Sequence, residues 1–340
     1  MTNIGEITGF SKDLPLRDAM NMILISRIED IFRYNESIFN EDDIESLHKM
    51  RVASRRLKGY LKIFNELFPK QKFNRIYNIL RNFIRLIGEI RELDVSFEII
   101  DNYLSKNTPE YNKILVLFIS KLKSQKSTLR EKLETDKRLI KFIKSKIDIT
   151  GLVQEGFAKK QKKRFKNFNL DISFIDNPVL IIPELRKRVL RDMKVVLNHP
   201  TKKSELHELR IKAKPLRYSM ELYSGFINNE FDEMISETKK FVERAGTIHD
   251  IDVLIPRLNE FAKEIKIYNN RIKKNKDKIS VTPLNHFVKS LREKRKKQFV
   301  LICNTLEKWK TEDIEAKLRT FTEPVNIPPS ENNSNLQQSL

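Results

Sequence analysis

Apolar residues recur at steps of three and four along most of this chain, the spacing that places them on one face of an α-helix. The stretch SLHKMRVASRRLKGYLKIF, residues 46–64, shows this pattern. With 100° per residue and His48 at zero, its main apolar positions occupy an arc of roughly 140° to 260°, the expected core-facing side. Turn-forming dipeptides between alternating runs, which mark β-hairpins, are nearly absent. The pattern predicts an all-α protein.

Two blocks of this pattern occur twice. The sequence LHKMRVASRRLKGYLKIF at 47–64 aligns with LHELRIKAKPLRYSMELY at 206–223, and IGEIRELDV at 87–95 aligns with AGTIHDIDV at 245–253. Because both blocks keep almost the same separation, we interpret them as two copies of one structural unit. The repeat predicts two four-helix bundles with long antiparallel helices, related by a pseudo-twofold axis.

Each copy is predicted to form four helices, punctuated by prolines and capping residues. The helices of the first copy are expected near 13–37, 42–67, 70–105 and 109–147. Those of the second copy are expected near 179–198, 201–225, 228–265 and 283–312. The domains are predicted as a first half at 1–149, a basic connecting segment at 150–178, a second half at 179–323, and a polar, disordered tail at 324–340.

The chain has 340 residues, a formal net charge of +20 and an isoelectric point near 9.8. Such a positive field attracts nucleic acid, polyphosphate or an anionic membrane surface, and charge alone does not choose among them. The single cysteine, Cys303, excludes an intramolecular disulfide and a cysteine-rich metal cluster. No secretory signal and no apolar stretch long enough to span a bilayer is found, so we expect a soluble, cytoplasmic protein.

A narrow polar stripe lies beside the core-facing side of the first block. It consists of His48, Arg51, Arg55, Lys58 and Lys62. The four cations fall between about 280° and 340°, with apolar positions on both sides. The second block repeats the stripe with His207, Arg210, Lys214 and Arg217. A solvated helix face usually mixes charge signs for pairing between neighbouring turns, whereas the first stripe contains no acid. We therefore predict that the stripes bind an anionic partner.

The residue types in the stripes suit phosphate. Phosphate oxygens only accept hydrogen bonds, so a phosphate site needs donors. Arginine offers a planar fork, lysine a mobile point charge, and histidine a donor whose protonation a nearby phosphate favours. Because cations at this spacing advance about 5 Å per helical turn, a polyphosphate or nucleic-acid backbone can follow the row.

These blocks resemble the CHAD family, the conserved histidine α-helical domain. LHKMRVASRRL and LHELRIKAKPLRY match the two histidine motifs of the family, and IGEIRELDV and AGTIHDIDV match its glycine and aspartate element. The resemblance covers roughly residues 13–312. It implies two pseudo-symmetric four-helix bundles enclosing a basic groove, binding of inorganic polyphosphate, and association with polyphosphate granules.

The resemblance carries the binding role to residues of this chain by position. The polyphosphate-binding residues are predicted to be His48, Arg51, Arg55, Lys58, Lys62, Arg81, Arg85, His207, Arg210, Lys214 and Arg217. Supporting roles are predicted for Arg56, Arg91, Asp94, Lys239, Lys240, Arg244 and Asp252. Arg56 projects near 80° on the helical wheel, so a structural role is expected for it. The two aspartates are expected to accept hydrogen bonds that orient the cations.

Three features distinguish the second half, which is expected to bind more weakly than the first. Pro215 stands where the family usually has a basic residue, so we expect a kink in the second histidine helix and one cation fewer. Pro256 is expected to interrupt the helix that follows the second glycine motif. Glu221 occupies the position equivalent to Lys62 and is placed to neutralise Arg217 one turn earlier.

Three other functions are open at this stage. A nucleic-acid-binding protein is the main alternative, although the stripes carry no aromatic platforms; nucleic acid is expected to be a weaker competitor. A phosphate-compound enzyme or a metal-chelating regulator is the second alternative, but no known catalytic motif and no metal-ligand spacing occurs. A scaffold that recruits acidic proteins is the third. We predict a non-catalytic protein without cofactor or metal, and the sequence leaves its oligomeric state open.

Overall fold

The computed structural model describes residues 4–34, 44–106, 113–133, 135–158, 168–198 and 203–320. Within these ranges the chain forms helices and turns without a strand, and an isolated antiparallel bridge joins Pro15 to Ser173. The prediction of an all-α protein is confirmed. No helix in the described ranges is long and apolar enough to cross a membrane. The predicted tail at 324–340 and residues 159–167 of the predicted connecting segment, which include the basic run KKQKKRFK, lie outside the described residues.

The α-helices of the described ranges are numbered in chain order. They are α1 (Leu16–Phe32), α2 (Ile44–Ile63), α3 (Lys70–Leu104), α4 (Lys113–Glu131), α5 (Lys137–Ile143), α6 (Lys146–Gly156), α7 (Pro178–Arg191), α8 (Met193–Asn198), α9 (Lys203–Leu222), α10 (Asn229–Asn270), α11 (Thr282–Thr311) and α12 (Ile314–Arg319). The two histidine blocks form α2 and α9, and the two glycine blocks lie within the long helices α3 and α10.

Local sequence explains several helix boundaries. α3 begins directly after Pro69, and the Asn228 side chain caps α10 by accepting a hydrogen bond from the backbone N–H of Phe231 at 2.9 Å. The helix predicted near 109–147 is divided, because Asp136 caps a new helix, α5, through the backbone N–H of Arg138. α6 then crosses the predicted domain boundary at 149. The division into two halves stays a prediction.

Neither internal proline ends its helix. α9 continues through Pro215, and the expected kink there stays a prediction. The expected interruption at Pro256 is wrong, because α10 runs through it without a break. Pro256 itself is exposed, while Ile255 and Leu258 beside it are buried in a core, so packing on the opposite side holds the helix through the proline.

The buried apolar residues form two cores, and each core draws on both copies of the repeat. The main core includes Met50 and Leu57 of α2 together with Leu209 and Leu216 of α9. The second core lies at the far ends of the long helices and is formed by α3, α4, α10 and α11. Hydrophobic packing therefore joins the two copies, and the prediction of one bundle per copy stays a prediction.

Candidate functional site

The two histidine helices, α2 and α9, lie against each other. A methyl group added at Gly59 would lie 2.8 Å from Cδ2 of Tyr218, so only glycine permits this approach without displacing the ring. The rings of Tyr60 and Tyr218 also meet, with centroids 6.5 Å apart. Gly59 and Tyr218 occupy equivalent positions of the repeat, so the large side chain of one copy fills the space that the other leaves open.

A shared ion pair joins the two helices beside this contact. Glu221 of α9 lies 2.9 Å from Nη2 of Arg56 on α2, and it accepts a hydrogen bond of 2.6 Å from Nε of Arg217. At most a quarter of each of the three side chains is exposed, since the values are 24%, 15% and 19% for Arg56, Glu221 and Arg217. Arg56 thus links the helices, and Glu221 neutralises Arg217, as the sequence suggested.

The other stripe cations of both helices converge on one place, which we name the cation cluster. It consists of Arg51, Arg55, Lys58, Arg210 and Lys214, all of which are half-buried. No carboxylate of the described residues lies within ion-pair distance of any member. The chain therefore brings together five cations from two segments distant in sequence, and none of them has a carboxylate partner at ion-pair distance among the described residues.

The electrostatics of the cation cluster reflect this crowding. Burial and the charges of Arg55, Arg210, Arg51 and Lys58 lower the pKa of Lys214 to about 6. Burial, with Arg55 and Arg91, lowers the pKa of Arg51 to about 10. The pKa values of Lys58 and Arg210 are lowered for the same reasons, burial first and neighbouring cations second. Each shift means that the protein destabilises the charged form, which an anionic ligand would stabilise.

Lys62 and Arg81 extend the cluster at the α3 side. Both contribute positive charge at Lys58, whose Nζ also lies 5.2 Å from the ring centroid of Tyr77. Lys62 and Arg81 are exposed, and Arg85 is exposed one turn farther along α3. The three residues thus form an open continuation of the predicted site.

The second histidine, His207, lies beside another imidazole, that of His249, whose equivalent in the first copy is Arg91. Nδ1 of His207 lies 3.4 Å from Nδ1 of His249, and Nη2 of Arg210 lies 3.4 Å from the same atom of His207. Burial and neighbouring cations lower the pKa of both imidazoles, that of His249 to about 4. The pair is therefore neutral near pH 7, with one ring donating and the other accepting. His48 occupies the equivalent position on α2 and is half-buried.

Two acids near the cluster were missed by sequence reasoning. Asp250 of α10 lies close to Arg210, Arg51 and Arg91; burial raises its pKa, while these three arginines act against the rise. Glu92 of α3 adds negative charge at Arg210 and forms an ion pair of 3.4 Å with Arg257. The repeat carries the signal, because Glu92 and Asp250 are equivalent positions that both hold an acid.

The two aspartates of the glycine blocks are acceptors, as expected, but for different cations. Asp94 pairs with Nζ of Lys126 at 2.5 Å, and Asp252 accepts two hydrogen bonds from Arg295, from Nε at 2.9 Å and from Nη2 at 3.1 Å. Lys126 lies on α4 and Arg295 on α11. Both aspartates therefore hold the next long helix in place, a role that the sequence did not reveal.

The remaining supporting residues separate into two groups. Arg91 forms an ion pair of 2.8 Å with Glu98 and also acts on Arg51, so it lies at the edge of the cluster. Lys239 is exposed. Arg244 lies 3.4 Å from Oγ1 of Thr305 on α11, and it shares a depression of about 690 Å³ with Lys240. No cluster residue lines that depression, so the structure does not bring these two cations to the stripes.

Another depression, of about 760 Å³, also lies away from the cluster, between the start of α4 and the loop before α11. Residues that line it include Ile114, Leu117 and Lys278. Such a cavity suits a compact ligand. An extended polyanion needs a charged surface instead, so we assign the candidate site from the cation cluster and not from cavity size.

A model of the CHAD domain matches residues 23–259, which is more than half of the chain. The chain belongs to the CHAD domain family. The family is associated with binding of polyphosphate. A search of curated protein sequences gives no match.

Two solved structures share the fold of this CHAD domain. The crystal structure of the CHAD domain from the plant Ricinus communis superimposes with a TM-score of 0.64 at 18% identity, covering 89% of this chain and 95% of that one. PptA from Streptomyces chartreusis gives a TM-score of 0.57 at 10% identity, covering 86% of this chain and 100% of that one. At these identities the likeness shows the fold alone.

The arrangement has one evident chemical capability. In this CHAD domain, half-buried guanidinium and ammonium groups from two helices present donors that no carboxylate of the described residues engages at ion-pair distance, and a chain of phosphate groups requires such donors. Among the described residues, no group of three or more histidine, cysteine or acidic side chains has the geometry to hold a metal ion.

Proposed function

We propose that this CHAD domain binds inorganic polyphosphate, without hydrolysing it, in a groove lined by the cation cluster. The first copy contributes Arg51, Arg55 and Lys58, and the second contributes Arg210 and Lys214. Lys62, Arg81 and Arg85 extend the path along α2 and α3. His48 and His207 add donors at the other end of the stripes.

The observation that carries this proposal is the contrast between paired and unpaired cations. Arg56, Arg217, Lys126 and Arg295 each have a carboxylate partner. The five cluster cations have none among the described residues, although they are buried more deeply than most surface cations. Burying like charges side by side costs free energy, and a polyanion offsets that cost by supplying the missing acceptors.

The proposed site determines affinity mainly through charge. Binding should weaken steeply with salt, with a log–log slope of about 0.7 per cation neutralised if polyphosphate behaves as a single-stranded nucleic acid does. The double variant R51A/R55A should reduce affinity by about 100-fold, since each arginine loses about 1.5 kcal/mol of charge-assisted hydrogen bonding. Its salt slope should fall by about 1.4.

A titration of polyphosphate at several salt concentrations tests the proposal. The matched control is R271A/R292A, which removes two exposed arginines elsewhere on the surface. It should retain the wild-type affinity within about threefold. If R51A/R55A and the control behave alike, the ligand binds elsewhere.

The non-catalytic part of the proposal has its own test. Prolonged incubation of polyphosphate with the protein should release no orthophosphate above the buffer background.

Competition with single-stranded RNA at matched salt distinguishes the proposed function from the main alternative, a nucleic-acid-binding protein. Polyphosphate should displace RNA at far lower concentration than RNA displaces polyphosphate. The reverse order would favour a nucleic-acid-binding protein. The proposed association with polyphosphate granules rests on the family, and the proposed cytoplasmic location rests on the sequence features described above.

A further inference from the structure

Lys214 occupies the most crowded position of the cation cluster. It lies on α9, one turn from Arg210, and three cations of α2 act on it from the facing helix: Arg51, Arg55 and Lys58. His207 on its own helix and His249 on α10 also interact with its charge. The groups that act on the charge of Lys214 from α2, α9 and α10 are therefore cations and histidines.

The nearby acids are engaged with other residues. Glu221 binds Arg217 and Arg56, and Asp252 binds Arg295. Glu92 pairs with Arg257 across α3 and α10. Asp250 acts on Arg210 and Arg51. In the part of the chain that the structure describes, none of these carboxylates lies within ion-pair distance of Lys214.

The equivalent residue of the first copy is Arg55, and this difference matters chemically. An arginine stays charged under all physiological conditions, whereas a lysine in a crowded, half-buried site can release its proton. Burial and the neighbouring cations bring the pKa of Lys214 to about 6. Near pH 7.5 the free protein therefore holds Lys214 mostly as a neutral amine.

We propose that Lys214 is a specificity-determining residue that is uncharged in the free protein and takes up a proton when a polyanion of high charge density occupies the cation cluster. This inference rests on the proposed function. Charging Lys214 beside four cations is unfavourable until several negative charges lie close to it. Polyphosphate carries a charge at every link, whereas a sugar separates the charges of RNA. The extra cation therefore forms for polyphosphate and not for RNA.

Calorimetric titration in two buffers tests the proposal. Tris and HEPES at pH 7.5 differ in ionisation enthalpy, so the difference in binding heat counts the protons taken up. The wild type should take up about one proton when it binds polyphosphate, and much less when it binds oligo(U) with the same number of phosphates. K214R should take up almost none. K296R, the same change at an exposed lysine of α11, should match the wild type.

Affinities give a second measurement that does not depend on proton counting. K214R carries a permanent charge, so oligo(U) should bind it several-fold more tightly than the wild type and the preference for polyphosphate should narrow. K214M should lose about tenfold in polyphosphate affinity and change little with oligo(U). K214M also covers the case in which the larger arginine prevents folding, which thermal melting would show.

The outcomes separate this inference from the proposed function. Proton uptake in K214R equal to that of the wild type would assign the protons to His207 and His249, and would overturn the role of Lys214. If the wild type bound polyphosphate with the same heat in both buffers, after correction for the buffer itself, no proton would be taken up. That result would also overturn the role of Lys214, while the proposed function would stand. Absence of binding heat in every buffer would overturn both.

Discussion

The two copies of the repeat differ in how they supply positive charge. The first copy has permanent or unpaired cations at three positions where the second has a titratable or acidic residue. The pairs are Arg55 and Lys214, Lys62 and Glu221, and Arg91 and His249. The first copy is therefore charged under all conditions, whereas the charge of the second depends on pH and on what is bound. The two copies therefore share a pattern of helices but differ in their electrostatics.

The two copies also differ in side-chain size where they touch. Gly59 and Tyr218 are equivalent, and they meet each other where α2 and α9 approach. Two tyrosines or two glycines at this place would either clash or leave a void. The copies thus became complementary where they touch, which brings both stripes to one cluster.

The largest effect should come from removing equivalent cations of the two copies. R51A/R55A should reduce polyphosphate affinity by about 100-fold. R210A/K214A should cost less than that but more than the loss from K214M alone, because part of the gain from charging Lys214 is offset by the cost of its proton uptake. Titrations at the same salt concentration measure both values. Equal losses would show that the two copies contribute alike.

Filling the space at the contact should be the next largest effect. G59A places a methyl group against the Tyr218 ring and should lower the free energy of unfolding by about 1 to 3 kcal/mol. Urea denaturation measures the change. A further Y218L substitution should recover part of the loss, because the smaller side chain makes room for the methyl group. No loss in G59A would mean that the helices are separated more widely.

Breaking the shared ion pair should lower stability and raise affinity together. E221Q removes the charge that holds Arg56 and Arg217, so unfolding should become easier by about 1 to 2 kcal/mol. Freed Arg217 should strengthen polyphosphate binding by about threefold. The double variant E221Q/R217A should lose this gain. Weaker binding in E221Q would show that Glu221 positions the cluster instead of neutralising it.

The smallest effect should be a pH dependence of stability caused by Lys214. Its pKa is about 6 in the folded protein and near 10.5 in the unfolded chain, so the unfolded state binds more protons between those values. Above pH 10.5 Lys214 is neutral in both states and does not lower the free energy of unfolding. As the pH falls from 10.5 toward 6, only the unfolded state takes up the proton, so the free energy of unfolding decreases. K214M should therefore be more stable than the wild type at pH 7, by at least about 1 kcal/mol after allowance for solvent screening.

His249 should cause a second pH dependence of stability, at lower pH. Its pKa falls to about 4, below the usual value of 6.5, so stability is further lost as the pH decreases through that interval. H249Q should flatten this acid limb. Denaturation at a series of pH values measures both groups, and a curve for K214M with the wild-type slope between pH 6.5 and 9 would contradict the assignment.

Periodicity predicted what lies on one helix face, and packing decided what lies across from it. The stripe of Arg51 and Arg55 was visible in the sequence because the angle between residues of one helix is fixed. That Lys240 and Arg244 lie toward α11, away from the stripes, was not visible. The rotation of a long helix about its axis depends on contacts with partners far away in the chain.

The acidic residues show most clearly what the sequence does not predict, which is the partner of a charged side chain. Asp94 and Asp252 were identified as acceptors, but their partners Lys126 and Arg295 were not. Asp250 was overlooked beside the cluster, although its agreement with Glu92 in the repeat was available as a signal. An ion pair between segments separated by many residues leaves no periodic trace, so sequence reasoning finds the charge and not its partner.

The sequence by itself determined the helical class, the repeat, the family and the two rows of cations, because these follow from spacing along one chain. The tertiary structure decided which cations are neutralised and which converge unpaired. It also decided that Lys214 and His249 hold depressed pKa values. These properties arise from burial and from Coulomb interactions over a few ångströms between distant segments, and both depend on the packing of α2, α9 and α10.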